Sequence, residues 1–336
     1  WQSGPVELTL GGEIRVGSVD SKRFVNVNGT RGSLTFMADQ SARTANIYGE
    51  IRYTAIKGLS LIAGGIYADG FRQQHQTYNM GISDVTARAE FSEFSPKFGI
   101  LFEPSDRIQI YANYSRSAEF PGFIELAQVS NFVPIKAQTA WTAEIGTRGT
   151  VGIASWDVSF YRSKIDRELL QFTVNADIPA STFNADETIH QGIEAGPSLQ
   201  FNEWLRLKQV YQYSDFHFVD EAQYGNNSLP VVPAHVYRAE LRIGSDDLHV
   251  APNVEWVPQG AWADYMNTVK TSGYALLGVS AGAKLTGNID VFVDARNLTS
   301  KKAVGDISAA IQATAGAAIY YPVERRALFG GLRARF

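Results

Sequence analysis

Asn288-Ile289-Asp290-Val291-Phe292-Val293-Asp294-Ala295-Arg296-Asn297-Leu298 decides the fold. Ile289, Val291, Val293 and Ala295 alternate with Asp290, Phe292, Asp294 and Arg296, the period of two of an extended strand rather than the 3.6 of a helix. The last segment repeats the pattern, with Leu328, Gly330, Leu332, Ala334 and Phe336 on one face and Arg333 and Arg335 on the other. So do Ile108, Ile110, Ala112 and Tyr114 against Arg107, Gln109, Tyr111 and Asn113, and Trp156, Val158 and Phe160 against Asp157, Ser159 and Tyr161. Each run is about ten residues long, against roughly 5–6 for the usual soluble strand. That is the length a tilted strand needs to cross a bilayer. Aromatic residues sit towards the ends of the apolar faces and small or aliphatic ones in the middle, as in a lipid-facing band edged by aromatic girdles.

Composition narrows the class. Of 336 residues, 45% are hydrophobic, 12% aromatic and only 19% charged, the last below the roughly 25% of ordinary soluble domains. A net charge of −4 offers no basic stripe for nucleic acid. With no cysteine, disulfides and thiolate metal sites are excluded. No window approaches the roughly 18 uninterrupted apolar residues of a membrane-spanning helix. The chain opens Trp1-Gln2-Ser3-Gly4-Pro5, without the features of an export signal. Two readings follow: a soluble β protein, or a membrane barrel whose export signal lies outside this sequence.

The connections favour the second. Strands are expected near 6–17, 43–55, 59–70, 93–103, 107–117, 138–149, 152–165, 186–201, 204–216, 234–244, 247–258, 273–285, 288–298 and 324–336. Short links such as Ile56-Lys57-Gly58, Pro104-Ser105-Asp106 and Thr286-Gly287 alternate with long ones at 18–42, 71–92, 118–137, 166–185, 217–233, 259–272 and 299–323. Short turns on one side and long loops on the other are the rhythm of an outer-membrane barrel. Lipid also demands that the sheet close, so that no strand edge is left unpaired. No linker or internal boundary interrupts residues 1–336, which read as one domain.

With the strands laid out, a family resemblance emerges. Phe94-Ser95-Pro96-Lys97-Phe98-Gly99, then Pro104-Ser105-Asp106 and Tyr111-Ala112-Asn113-Tyr114-Ser115-Arg116, resemble a hairpin of the TonB-dependent outer-membrane receptors. Phe120-Pro121-Gly122-Phe123-Ile124-Glu125-Leu126, Thr142-Ala143-Glu144-Ile145-Gly146, His190-Gln191-Gly192-Ile193-Glu194, Leu229-Pro230 to His235, Asn297-Leu298-Thr299 and Tyr320-Tyr321-Pro322 follow in that family's order. The closing Gly330 to Phe336 is similar to its C-terminal signal, so Phe336 would be read by the barrel-assembly machinery. The resemblance implies a transmembrane antiparallel β-barrel, with about 14 strands present of a 22-stranded barrel, its plug domain and TonB box lying outside this sequence. It implies a non-enzymatic outer-membrane receptor of a Gram-negative bacterium, taking up a ferric siderophore or similar iron chelate. Its partners would be outer-membrane lipid, a small-molecule ligand and, through the plug, the TonB-ExbB-ExbD complex. A free-standing 14-stranded diffusion channel is the alternative.

Candidate chemistry is sparse. Gly278-Val279-Ser280-Ala281-Gly282 fits the hydrolase elbow G-x-S-x-G, but falls in a period-two run rather than the strand–turn–helix that exposes such a serine. His75, His190, His217, His235 and His249 are dispersed, without metal-ligand spacing, so no catalytic residue, metal site or cofactor is expected. What remains is the loop surface: Arg72, His75, Tyr78, Phe120, Phe123, Phe132, Tyr224, Trp262, Tyr265 and Tyr320. Arginine pairs bidentately with carboxylates and aromatic rings stack, which suits anionic or aromatic iron chelates. Any one of these aromatic residues reads first as a girdle or packing anchor, while some of these loops are expected to bind the ligand.

Overall fold

The computed structural model describes residues 1–79, 84–128, 131–173, 180–314 and 319–335. Its fourteen long strands among these residues are β1 (Val6–Val27), β2 (Thr30–Ile56), β3 (Leu59–Asn79), β4 (Val85–Ser105), β5 (Ile108–Glu119), β6 (Gln138–Val151), β7 (Ala154–Asp166), β8 (Glu187–Ala195, continued by Ser198–Asn202), β9 (Leu205–Phe218), β10 (His235–Gly244), β11 (Leu248–Val257), β12 (Tyr274–Thr286), β13 (Ile289–Arg296) and β14 (Ala327–Ala334). One four-residue helix, α1 (Phe123–Leu126), joins them. No described helix is long and apolar enough to cross a membrane.

The chain groups into two compact units. The first comprises residues 1–100, 113–142 and 164–188, the second 101–112, 143–163 and 189–336. Within each unit the strands lie side by side in chain order, and the registered pairs run antiparallel.

Register sorts the side chains. In the first unit Leu8 lies opposite Ile51, Leu10 opposite Gly49 and Ile14 opposite Ala45, while Ile47 and Tyr53 lie opposite Tyr67 and Leu61. This makes one apolar face across β1–β3. The other face carries Glu7 opposite Arg52 and Thr9 opposite Glu50, with Glu13 paired to Arg15 at 2.6 Å and Glu50 to Lys97. In the second unit Ala239, Val254 and Leu277 share the apolar face with Val279, Ala281, Val293 and Leu328. At one end of this face Tyr211, Tyr237 and Trp256 stand opposite one another in a row. The reverse face holds Arg238–Glu255 at 2.7 Å, Arg296–Asp294 at 2.7 Å and Arg335–Asp290 at 3.3 Å. A soluble sandwich would bury the apolar faces. Here Ile14 is 72% exposed, Ile47 71% and Leu328 74%, so the protein itself does not cover them.

Two expected long loops are strand instead. Residues 18–42 continue β1 and β2 to a tight turn at Asn28-Gly29, and 71–79 and 85–92 extend β3 and β4. Asn28 and Gly29 have φ of 49° and 85°, the left-handed pair of a type I′ hairpin turn, for which Asn-Gly is the favoured sequence. Past residue 17 polar and apolar residues mix on both sides, so the period of two fades and the stretch reads as loop. Its backbone partners come from the long register, Gly17 opposite Ala42 through Val27 opposite Thr30. The segment 299–323 likewise holds a small two-stranded sheet, Val304–Ile307 with Tyr320–Pro322. Phe336 lies outside the described residues.

Candidate functional site

Arg72, His75 and Tyr78 lie in the extended end of β3. Arg72 Nη1 donates to the carbonyls of Phe71 and Arg43, each at 3.0 Å, and to Thr44 Oγ1 at 3.2 Å. His75 Nδ1 meets Thr86 Oγ1 at 2.9 Å, and its Nε2 lies 3.6 Å from Asp84. Tyr78 is registered with Met37. Beside Arg72 the same face turns amide-rich and buried: Gln40 Nε2 donates to Gln74 Oε1 at 2.7 Å, and Gln76 and Asn79 follow. Buried amides persist only when hydrogen-bonded, so this end of the face is a built polar surface.

The segment after β5 folds back onto this end of the first unit. Phe120 stacks on Phe91 with ring centres 5.4 Å apart. It also fills the space where a side chain at position 70 would stand, which accounts for Gly70. Glu125 caps α1 by accepting the Gly122 N–H at 2.8 Å. Leu126 and Ala127 are buried, and Arg23, its guanidinium over the Phe36 ring, donates to the Ala127 carbonyl at 3.1 Å. Phe123 lies in α1, and Phe132 in the short pairing with Ala127. The first unit therefore places Phe120 against Gly70 of β3, two residues before Arg72 on the same strand, with Phe123 and Phe132 on the segment that follows.

In the second unit the loop residues have another role. Tyr224 and Tyr265 are buried and pack with Phe218, ring centres 5.0–6.0 Å apart. They anchor loops rather than display rings. Burial, with Glu221 nearby, pushes the Tyr224 hydroxyl pKa up. Trp262 lies under the Lys270 ammonium at 5.2 Å, and its carbonyl accepts the Val231 N–H at 2.9 Å. Tyr320 remains largely exposed on its short strand.

The sequence reading missed Asp264, which organises these loops. Its carboxylate, fully buried, accepts the N–H groups of Thr268 at 2.8 Å and Ala313 at 2.7 Å, and the Thr268 hydroxyl. Around it Ala261, Ala263, Ile307, Ala310 and Ile319 form a small apolar core. Asn267 and Asn227 tie in the loop after β9, Asn267 to both backbone groups of Ser228 and Asn227 to the Tyr265 carbonyl, all at 2.9 Å. The only sequence signal was an Asp followed four residues later by Thr, an ordinary loop pattern.

The other motifs settle as backbone. Ser280 lies in mid-β12, opposite Ala251 and Asp294, which is not the context of a nucleophile elbow. His190 stacks on Phe216 at 3.9 Å, His217 contacts Asp215 at 3.1 Å, His235 contacts Tyr211 at 3.0 Å and His249 contacts Arg242 at 3.3 Å. Among the described residues no cluster could hold a metal ion.

A family model for "TonB dependent receptor-like, beta-barrel" matches residues 3–298. Solved structures share the fold. The ferric yersiniabactin uptake receptor FyuA from Yersinia pestis superimposes with a TM-score of 0.77 at 14% identity, over 100% of this chain and 52% of that one. The siderophore receptor PiuA from Acinetobacter baumannii gives 0.77 at 16% identity, over 99% and 54%. The copper transporter OprC gives 0.79 at 14% identity, over 99% and 54%. The chain thus spans about half the length of the structures it matches. With the family model covering most of its residues, the chain belongs to the TonB-dependent receptor β-barrel family.

Proposed function

We propose that this chain is the ligand-binding barrel portion of a Gram-negative outer-membrane receptor that takes up an iron chelate, with energy supplied by the TonB complex through a plug. The observation that carries this reading is the anchored segment of the first unit, where Phe120 is packed against Gly70 of β3, two residues before Arg72. A guanidinium and aromatic rings carried by the same part of the sheet would suit a polycarboxylate or catecholate chelate. The uncovered apolar faces support lipid as the surrounding solvent. Membership of the family and the fold of FyuA and PiuA agree with the iron-chelate class, while OprC marks copper as its competitor.

Tryptophan-fluorescence titration of the detergent-solubilised protein tests this, with ferric citrate, a ferric catecholate, haem, cobalamin and copper(II) as separate probes. Saturable binding of a ferric chelate, weakened about tenfold or more by Arg72→Ala through loss of a charge-assisted contact, is expected. Binding of copper alone, or of none of these probes, contradicts the proposal. So does a stable open conductance from the chain without any plug, which is the behaviour of a diffusion channel.

A further inference from the structure

Arg206 and Arg242 stand directly opposite each other across β9 and β10. Both share the charged face with the next opposed pair, Lys208 and Glu240. Like charges opposite each other in a strand pair repel, so such a pair calls for something between or beside the two cations. Arg242 has partners: its Nη2 donates to Asp246 Oδ1 at 3.0 Å, and lies 3.3 Å from both the Ser245 carbonyl and His249 Nδ1. Arg206 differs. Its Nε is buried and makes no hydrogen bond, although a buried charged donor is among the most costly groups to leave unmet.

A cavity of about 170 Å³ opens at this point, lined by Gln200, Trp204, Arg206 and Arg242 together with Glu203 and Asp246. That is room for a tetrahedral oxyanion and a few waters, each of roughly 30 Å³ in the liquid. Both carboxylates are exposed, so water and salt screen them, whereas Arg206 is half-buried. The cavity sits at the short turns around Asn202 and Ser245, at the start of β9. The ligand loops of this unit begin beyond Phe218, a whole strand away.

We propose that Arg206 and Arg242 form a binding site for a phosphate group, the two guanidiniums sharing its charge. Guanidinium is the side chain best matched to phosphate, planar and multiply donating. The site faces the side of the sheet that carries ion pairs, so the phosphate arrives from water and not as a lipid headgroup.

Isothermal titration of the purified protein in non-ionic detergent with inorganic phosphate, at constant ionic strength, tests the proposal. Saturable binding is expected, weakened about tenfold or more by R206Q and by R242Q through loss of a charge-assisted bond. R206K should retain more of the affinity than R206Q, and R296Q, elsewhere on the same face, should retain all of it. Circular dichroism confirms that each variant keeps its strand content. A variant that fails this check is replaced by the wild type titrated with phosphate against sulfate and chloride, where heat with chloride alone overturns the site. Binding of a short-chain phosphatidylglycerol without binding of inorganic phosphate overturns the water-borne assignment. Equal affinity in R206Q and wild type overturns the proposal outright.

Discussion

The carboxylate of Asp264 accepts the backbone N–H of Ala313 at 2.7 Å, joining two loops whose contact points are 49 residues apart. Backbone bonds follow on either side, Tyr265 N–H to the Ala310 carbonyl at 3.0 Å and Met266 N–H to Ile311 at 3.2 Å. Removing the acceptor strands several buried donors at once. Asp264→Ala is expected to cost about 1–3 kcal/mol per unmet buried group. Hydrogen exchange should show it locally, with protection lost at Thr268, Val269 and Ala313 and kept in β9–β14.

The same group gives a pH signature. Burial alone would raise the Asp264 pKa, but the N–H of Ala313, the hydroxyl and N–H of Thr268 and the N–H of Val269 favour the charged form, and the net shift is down. A carboxylate whose pKa is depressed by folding stabilises the fold fully above its unfolded value of about 3.9. That contribution is lost as pH falls through the lower folded value. Protection at Thr268 and Ala313 should therefore persist through neutral and mildly acidic pH and drop only below about pH 4. Asp264→Asn should remove this acid-specific loss.

At the tip of the β1–β2 hairpin, Gly29 holds a φ of 85°. A β-branched residue there pays a left-handed penalty of roughly 1–2 kcal/mol. Gly29→Val should fray the upper hairpin, read as faster amide exchange around Val27 and Thr30, with the lower register from Val6 to Gly17 unchanged.

Position 293 and its neighbour 294 face opposite ways. Val293 lies on the exposed apolar face opposite Ala281, and Asp294 on the charged face opposite Ser280. Val293→Arg should cost about 2–4 kcal/mol in vesicles, as for a cation facing the bilayer midplane. Asp294→Asn, which loses only a half-exposed ion pair with Arg296, should change stability by less than about 1 kcal/mol. Reversible urea titration in lipid vesicles distinguishes the two.

Ser280 should not react with an organophosphorus serine probe, because it lies in mid-strand between Ala251 and Asp294 and not on the strand–turn–helix bend that activates such a serine. Labelling abolished by Ser280→Ala would contradict its assignment as a packing residue.

The strands were legible because the period of two records which side of the backbone each residue faces, and that survives without tertiary information. All fourteen expected strands coincide with observed ones. Their loop-side ends were not legible: beyond Gly17 both sides of β1 mix polar residues with Val19, Phe24, Val25 and Val27, so the alternation fades while Asn28-Gly29 carries the true signal. The candidate site was legible only in part. Phe120 packs against Gly70, two residues before Arg72 on β3, and Tyr224 and Tyr265 are taken up in burying Phe218. An aromatic loop residue looks the same in sequence whether it meets a ligand or a neighbour. Asp264 escaped notice because its partners are mostly backbone N–H groups, which leave no trace in side-chain pattern.

The central claim is that one face of each strand meets lipid and the other does not. Single nitroxide labels at residues 289–296 of β13, in the protein reconstituted into vesicles, test it through collision rates with membrane-soluble oxygen and a water-soluble nickel chelate. The account predicts oxygen maxima at 291 and 293 and nickel-chelate or occluded behaviour at 290, 292 and 294, alternating with a period of two. Uniform nickel-chelate access at every position, with no oxygen periodicity, would contradict it.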